Sequence, residues 1–253
     1  MTANNCATSF RHLSFRQRAV MNALARRLIA MPLQNRVDPY GSLHAVAERG
    51  AWMGNRGVLH DENGRIVVPW RLKRWITCVL SFRGRQRKVF APRRYSELFF
   101  LDEATSFSAG HRPCAECRRE RYDEFRASWI EANSNHAAGR RVGADDIDSV
   151  LHAQRAIRGG GKKTWQADVA ELPPGTLIEH RGRPHLIWNG QPWPWTFAGY
   201  ENPVAMNLAA GGVDVAVLTP PSIVRVFQSG FRPQVHASAG NDAPSRSMLR
   251  TTC

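Results

Sequence analysis

The residues in this sequence best suited to metal chemistry are Cys114 and Cys117, which are separated by two residues. A Cys-x-x-Cys turn brings two thiolates to the spacing at which both can bind one soft divalent ion such as zinc. The turn comes directly before a predicted helix, and the positive end of a helix dipole stabilises thiolates. We therefore predict that Cys114 and Cys117 are two ligands of a zinc ion.

Two other interpretations of this cysteine pair stay open. Reduced cysteines can be buried in a core, and a thioredoxin-like redox pair has the same spacing. The redox interpretation requires a preceding strand, whereas the sequence predicts a short helix, residues 103–109, capped by Asp102 and ended by Gly110. The five cysteines are an odd number and mostly far apart, which favours a reducing, cytoplasmic compartment over a disulfide framework.

The segment 103–117, which reads EATSFSAGHRPCAEC, is similar to the second half of the zinc-binding domain of the Ada family of methyl-phosphotriester DNA repair proteins. That family has an aromatic strand, a short alanine-rich helix and then Gly-aromatic-Arg-Pro-Cys-x-x-Cys. The resemblance covers residues 98–118 and implies a small zinc domain that docks on the DNA backbone. The whole chain also resembles uncharacterised bacterial proteins that share its segments 54–60 and 98–104, which implies no activity.

The sequence departs from the Ada pattern upstream of this segment. The Ada family supplies two further cysteines there, one of them the methyl acceptor, whereas this sequence offers only Cys78. A closed structural zinc site needs four ligands, so the fourth must be a histidine. We choose His60, in the turn-rich segment 54–64, with His111 as the second choice. The predicted metal ligands are therefore Cys78, Cys114, Cys117 and His60, with Cys78 a ligand and not a nucleophile.

A zinc-dependent nucleobase deaminase is the leading enzymatic alternative. His60-Asp61-Glu62 fits its His-x-Glu signature, and residues 113–117 fit Pro-Cys-x-x-Cys. In that chemistry three protein ligands leave a position for water, and Glu62 would shuttle the proton. Two features oppose it: the long gap from Glu62 to Cys114, and the predicted helix where a deaminase has a strand.

A metal-dependent nuclease is the second enzymatic alternative. It would use acidic residues and a histidine at helical spacing in the predicted helix 145–155, namely Asp145, Asp146, Asp148 and His152. The competing interpretation is a solvated first turn of a helix, where negative charge is favourable without any function.

The chain is strongly basic, with 35 Lys and Arg against 21 Asp and Glu and a net charge of +14. Such a charge favours a polyanionic partner, because cations near phosphates release condensed counterions. The charge is clustered, since residues 71–94 contain no acidic residue and nine basic ones: Arg71, Lys73, Arg74, Arg83, Arg85, Arg87, Lys88, Arg93 and Arg94. We predict that these residues contact nucleic acid, together with Arg112, Arg118 and Arg119.

These features predict a zinc-binding protein that binds nucleic acid, DNA in preference to RNA because of the Ada resemblance. It would act in repair, modification or defence. The remaining alternative is a protein-interaction adaptor in which zinc is structural and the charge is incidental. No apolar run approaches the ~20 residues that span a bilayer, so we expect a soluble protein without a membrane partner.

Hydrophobic periodicity and turn signals predict an α+β protein, a small zinc-stabilised module followed by a β-rich C-terminal unit. The predicted zinc would fix a hairpin within residues 75–90, which carries Cys78, against the helix after Cys117. An aromatic cluster of Trp188, Trp193 and Trp195 would form either a core or a base-binding pocket. The predicted divisions are a basic extension 1–36, the zinc module 37–135, a helix with a flexible basic linker 136–163, the β-rich unit 164–239 and a disordered tail 240–253.

Overall fold

The computed structural model describes residues 32–85, 88–137, 141–209 and 211–240. The predicted tail after Gly240, and all of the predicted basic extension but its last five residues, lie outside these ranges. The chain divides after Leu33 into two units, and the second unit, Gln34–Cys253, contains every helix and strand described below.

The first half of this unit contains a mixed sheet of short strands. Its strand order is β2-β1-β5-β3-β4-β6, and the pairs β1–β5 and β4–β6 are parallel. The strands are β1 (Arg36–Val37), β2 (Leu43–His44), β3 (Trp52–Asn55), β4 (Ile76–Cys78), β5 (Leu98–Phe100) and β6 (Arg112–Pro113).

The second half contains a sheet whose strand pairs are all antiparallel, in the order β11-β10-β9-β8-β12-β7. Turns at Arg181-Gly182 and Asn189-Gly190, all four residues with positive φ, connect its central strands. The strands are β7 (Trp165–Asp168), β8 (Leu177–His180), β9 (Arg183–Trp188), β10 (Gln191–Thr196), β11 (Gly199–Tyr200) and β12 (Asp214–Val217).

Five α-helices and two short 3₁₀ helices accompany the sheets in the described part of the chain. They are α1 (Glu103–Ser108), α2 (Arg119–Ala132), α3 (Ser134–Ala137), α4 (Ala144–Arg155), α5 (Pro221–Gln228) and the 3₁₀ helices Val169–Glu171 and Ala237–Ala239. The side chain of Asp102 accepts the backbone N–H of Thr105 at 2.8 Å, as the predicted cap requires. None of the helices within the described ranges combines the length and apolar character that spanning a bilayer requires.

Helices α1, α2, α4 and α5 enclose one aromatic core. Tyr122, Phe125 and Trp129 recur at helical spacing in α2 and are buried, so they form the apolar face of this helix. Phe125 stacks on Phe107 of α1 at 5.4 Å between ring centroids, and Phe227 of α5 meets Phe107 edge-on at 5.6 Å. The core therefore joins the first helix to the last one along the chain.

A second core lies where α1 meets the antiparallel sheet. Leu101 and Ala104 pack there with Leu177 and Trp195, and the indole N–H of Trp195 donates to Thr105 Oγ1 at 2.9 Å. Trp188 and Trp195 are buried in this cluster, so they belong to the core. The predicted α+β class is confirmed, and the two predicted modules share this core within a single compact unit.

Two local predictions differ from the structure. Strand β4, which carries Cys78, pairs with β3 and β6, whereas the expected hairpin partner within residues 86–90 does not form a strand in its described residues, 88–90. The predicted flexible linker contains an antiparallel bridge between Ala156 and Lys162. Gly159, Gly160 and Gly161 within it have positive φ, so they supply a tight turn in which other residues would be strained.

Candidate metal centre and the adjoining cavity

Parallel pairing of β4 and β6 brings Cys78 and Cys114 together. Thr77 lies opposite Pro113 in this ladder, and the backbone N–H of Cys114 donates to the carbonyl of Thr77 at 2.9 Å. The next residues along both strands are Cys78 and Cys114, so their side chains leave the ladder side by side. Sequence spacing cannot predict this contact, because it depends on which strands become neighbours.

Cys117 reaches the same point through the turn that precedes α2. The backbone N–H of Arg118 donates to the carbonyl of Cys114 at 3.1 Å, which closes the turn. The Sγ atoms of Cys78, Cys114 and Cys117 all lie within 4.8 Å of one another. Cys78 and Cys114 are buried and Cys117 is half-buried. Three thiols in this arrangement can hold a metal ion.

The three thiols influence one another's protonation strongly. The pKa of Cys78 is raised, first because it donates hydrogen bonds to Cys114 and Cys117 and then because it is buried. The hydrogen bond from Cys78 lowers the pKa of Cys114 to about 5, and the same interaction lowers the pKa of Cys117. Three thiolates this close repel one another, so a cation is needed before all three can ionise.

His60, the predicted fourth ligand, is not part of this group. Among the described residues, the set of three or more metal-binding side chains contains cysteines only. His60 Nδ1 is hydrogen bonded to Ser96 Oγ at 2.6 Å, and the imidazole stacks on Phe90 with ring centroids 4.5 Å apart. The side chain is committed to these two neighbours because residues 59–60 lie against the segment before β5.

The second choice, His111, is also absent from the group in the described structure. It is fully buried, and its Nε2 accepts a hydrogen bond from Arg56 Nε at 3.3 Å. Glu62, the proton shuttle of the deaminase alternative, is exposed in the turn after His60. The gathered ligands are therefore three cysteines, and neither residue of the proposed His-x-Glu signature joins them.

The residues of the nuclease alternative have structural partners. Asp148 forms two hydrogen bonds to Arg112, and Asp146 accepts the backbone N–H of Gly143 at the start of α4. His152 packs edge-on against Trp70 and Trp75. Asp145 is exposed, and no metal-binding group containing these residues is found in the described ranges. The helix-cap and ion-pair interpretation explains this cluster.

The three cysteines lie in the wall of a cavity of about 530 Å³, which we call the thiol cavity. Arg74 and Arg85 of the basic segment also line it, and Arg85 pairs with Glu116 at its edge at 2.8 Å. Glu97 lines it from the residue before β5. Glu97 is buried, its Oε2 accepts the backbone N–H of Phe90 at 2.9 Å, and its Oε1 has no hydrogen-bond partner among the described residues.

Glu97 was not predicted from the sequence. The sequence feature that could have indicated Glu97 is its position. It directly precedes the apolar run 98–101 and follows the segment 71–94, whose charged residues are all basic. A buried carboxylate needs partners because its desolvation is costly, so an unpaired oxygen beside a metal-binding group is unusual.

The predicted nucleic-acid contacts fall into two classes. Those between residues 71 and 94 are all exposed where the structure describes them, and Arg87 lies outside the described residues. Arg119 is exposed as well and pairs with Asp123 one turn along α2. The exposed members are Arg71, Lys73, Arg74, Arg83, Arg85, Lys88, Arg93, Arg94 and Arg119.

Arg112 and Arg118 belong to the interior, which corrects their assignment as phosphate contacts. Arg112 is 2% exposed and forms a bidentate pair with Asp148, at 3.0 and 2.7 Å. Arg118 pairs with the buried Glu103 at 2.7 Å and lies 3.9 Å from the centroid of the Trp52 ring. Buried charges require partners. Through these partners Arg112 links β6 to α4, and Arg118 links the start of α2 to α1 and to β3.

Comparison with known proteins adds no further assignment: no protein-family model, no curated protein and no solved structure matches this chain.

Proposed function

We propose that this protein binds a zinc ion through Cys78, Cys114 and Cys117 and binds nucleic acid, DNA in preference to RNA, on the adjoining basic surface. One observation carries the proposal. The metal-binding group opens into a cavity whose wall also contains Arg74 and Arg85, two members of the basic segment. The metal group and the phosphate-binding charges therefore occupy one continuous surface.

The identity of the ion follows from the chemistry of the donors. Thiolates are soft ligands, and sites rich in cysteine favour zinc, monovalent copper or iron–sulfur clusters over magnesium or calcium. A cation also relieves the repulsion that keeps one of these three thiols protonated. The resemblance to the Ada zinc domain supports zinc among the soft ions.

The basic surface supplies the second part of the proposal. Eight described basic residues between positions 71 and 94 are exposed, and that segment contains no carboxylate to neutralise them. Cations on such a surface bind phosphates and release counterions, so the affinity should fall steeply with salt. The DNA preference rests on the Ada resemblance alone.

Metal analysis tests the first part. We expect about one zinc ion per chain in the full-length protein, and X-ray absorption should show three sulfur ligands. A fourth sulfur ligand would mean that a cysteine outside the described residues, Cys6 or Cys253, completes the site. Iron in place of zinc, or a protein without metal, would refute this part.

Binding of a DNA duplex across a salt series tests the second part. We compare the double variant Arg74→Ala/Arg85→Ala with Arg181→Ala/Arg183→Ala, which removes the same charge from a turn of the antiparallel sheet. The affinity falls as salt rises, so the slope of log affinity against log salt is negative. If Arg74 and Arg85 contact phosphates, the first variant should make this slope less steep by about 2, and the second should leave it unchanged. Equal effects, or no salt-sensitive binding at all, would favour the adaptor alternative.

A zinc hydrolase, such as a nucleobase deaminase, is a second candidate function because of Glu97. A zinc ion with three protein ligands retains a position for water and lowers the pKa of that water. Glu97 lines the same cavity with one buried carboxylate oxygen unpaired, so it would accept and return a proton. In this version of the deaminase alternative Glu97 takes the role that the sequence suggested for Glu62.

The two glutamates supply a matched pair of variants for this candidate. Deamination of cytosine and adenine in single-stranded DNA is measured for the wild type, Glu97→Gln and Glu62→Gln, all loaded with zinc. A wild-type activity that is lost in Glu97→Gln and kept in Glu62→Gln would support the candidate. Absence of any activity in the wild type would leave the non-catalytic proposal.

A further inference from the structure

A second cavity, separate from the cysteines, has a wall with an unusual concentration of buried positive charge. Its volume is about 310 Å³, and we call it the cationic cavity. Three basic residues line it, Arg56, Arg155 and Lys162, together with an aromatic and aliphatic wall that includes Tyr40, Trp70, Trp75, Ile66 and Val68. None of the three basic residues had been assigned a role from the sequence.

Among the residues that the structure describes, the hydrogen bonds of the three cations go to neutral groups only. Arg56 is 1% exposed, donates to the carbonyl of Gly41 at 2.8 Å and to His111, and leaves Nη2 without a partner. Arg155 is 2% exposed, donates to the carbonyls of Gly110 and Lys73, and leaves Nε without a partner. Lys162 donates to the carbonyl of Ser108.

The aromatic ring of Trp75 offsets part of this charge. The guanidinium carbons of Arg56 and Arg155 lie 4.1 and 4.2 Å from the ring centroid, within the range of cation–π attraction. Burial and the neighbouring guanidinium groups hold the pKa of His111 well below its usual range, so this imidazole is neutral and contributes no further charge. A ring face is a weaker partner for a buried cation than a carboxylate is.

The nearest carboxylates serve other partners. Asp38, whose charge acts on Arg56 and Lys162, binds His44 at 2.8 Å and the backbone N–H of Ser42. Asp148, near Arg155, is bound to Arg112, and Glu179 accepts the hydroxyl of Tyr40 at 2.8 Å. The residues outside the described ranges contain one carboxylate side chain, Asp242. Within the described ranges, therefore, no carboxylate is hydrogen bonded to any of the three cations.

We propose that the cationic cavity binds a phosphate monoester, whose oxygens accept hydrogen bonds from Arg56, Arg155 and Lys162. With Lys162 protonated, counting the three cations against Asp38 leaves an excess of two positive charges, which matches the charge of about −1.5 to −2 on a phosphate monoester. Buried charges require compensation, and Arg56 Nη2 is a buried donor without a partner in the cavity wall.

The remaining wall indicates what the phosphate is attached to. Tyr40 and Trp70 line the cavity beside the cations, and rings of this kind stack on a base or another flat group. A nucleotide carries both parts, a phosphate and a ring. The source is either a free nucleoside 5′-monophosphate or the phosphorylated 5′ end of a nucleic acid strand. This proposal does not depend on the zinc site.

Two adjacent lysines provide a matched test. Lys162 lines the cavity, whereas the exposed Lys163 donates to the carbonyl of Ala153 and does not line it. The zinc-loaded, full-length wild type and the variants Lys162→Gln and Lys163→Gln are titrated calorimetrically with inorganic phosphate and adenosine 5′-monophosphate. We expect Lys162→Gln to bind adenosine 5′-monophosphate at least about tenfold more weakly and Lys163→Gln to bind like the wild type.

Oligonucleotides with and without a 5′-phosphate distinguish the two sources. Tighter binding of the phosphorylated strand than of the unphosphorylated strand would identify the strand end. Equal binding of the two strands, with tighter binding of adenosine 5′-monophosphate than of inorganic phosphate, would identify the free nucleotide. In addition, the wild-type melting temperature should rise with inorganic phosphate and not with chloride at equal ionic strength, which needs no variant to fold. Absence of this rise together with no calorimetric binding, or equal weakening by both lysine variants, would overturn the proposal.

Discussion

The thiol cavity and the cationic cavity pose opposite electrostatic problems. In the thiol cavity, three cysteines crowd together and keep one thiol protonated, and two of the arginines there have acidic partners, Arg112 with Asp148 and Arg85 with Glu116. In the cationic cavity, Arg56 and Arg155 are as deeply buried as Arg112 but have no acidic partner in the described structure. The thiols of the first cavity favour a bound cation, and the buried guanidinium groups of the second favour a bound anion.

This difference shows that burial alone does not reveal what an arginine does. Arg112 is satisfied within the fold, so its role is to hold α4 against β6. Arg56 has the same exposure but an unpaired donor, so it retains capacity to bind a ligand. The exposed arginines form a third class, whose energetic contribution depends on a partner and on salt.

The largest expected effect is the loss of the metal from the thiol cavity. Cys78→Ser removes the ligand that joins β4 to the cysteine turn, so we expect zinc content to fall to near zero. Zinc binding is coupled to folding, so the free energy of unfolding should fall by ~3 kcal/mol or more. Elemental analysis and denaturant unfolding measure both quantities. Ser81→Ala, a change at an exposed position three residues after Cys78, is the control, and a Cys78→Ser protein that retains zinc would contradict the prediction.

The next effect concerns the arginine that depends on a carboxylate. Asp148→Asn leaves the buried Arg112 with an uncompensated charge, and breaking such a pair costs about 3–5 kcal/mol of stability. Asp145→Asn changes an exposed carboxylate in the same helix and should cost less than about 0.5 kcal/mol. Denaturant unfolding compares the two variants. Equal stabilities would mean that the fold tolerates a buried Arg112 without Asp148, as it tolerates the buried Arg56 without a carboxylate partner.

Binding in the cationic cavity should depend on pH. Burial and the charges of Arg56 and Arg155 lower the pKa of Lys162 to about 7, and the charge of Asp38 offsets part of this shift. The pKa values of Arg56 and Arg155, about 9, keep both charged at neutral pH. A phosphate must bind the protonated lysine, so the affinity should fall as pH rises above 7, by up to about tenfold per pH unit.

Calorimetric titration with adenosine 5′-monophosphate between pH 7 and pH 8.5 measures this dependence, at values chosen above the phosphate pKa of about 6. Lys162→Gln should bind weakly with no such fall, since it has no proton to lose. A wild-type affinity that is constant over this range would show that Lys162 does not contact the phosphate.

The smallest effect is expected at the edge of the thiol cavity. Glu116→Gln breaks the pair with Arg85, whose two side chains are 44% and 58% exposed. Exposed ion pairs contribute about 0–1 kcal/mol, so the free energy of unfolding should change by less than about 0.5 kcal/mol. Thermal unfolding at low and high salt measures it. A larger change would mean that this pair closes the cavity instead of lying at its surface.

Local sequence signals predicted the elements around the cysteines well. The cap at Asp102, the helix that follows it, and the apolar face of α2 depend on residues within one or two helical turns of one another. The pair Cys114 and Cys117 is local in the same sense. The prediction for His60 depended on a distant contact, and the structure places His60 against Ser96 and Phe90 instead.

Lys162 illustrates the opposite limit. The run Gly159-Gly160-Gly161 followed by two lysines indicated a flexible linker, because glycine-rich composition is typical of linkers. In the fold these glycines form a turn that positions Lys162 beside Arg155 and Arg56. Composition reports the freedom of an isolated segment, whereas the ordering comes from the surfaces against which it packs.

The sequence by itself determined the α+β class, the local helices, the cysteine pair and the basic segment, because each depends on neighbours along the chain. Only the tertiary structure decided that Cys78 joins the pair through parallel strands and that Glu97 lines the same cavity. It also decided which arginines are buried, and which of these lack a carboxylate. The physical reason is that strand pairing and desolvation are set by residues distant in the chain.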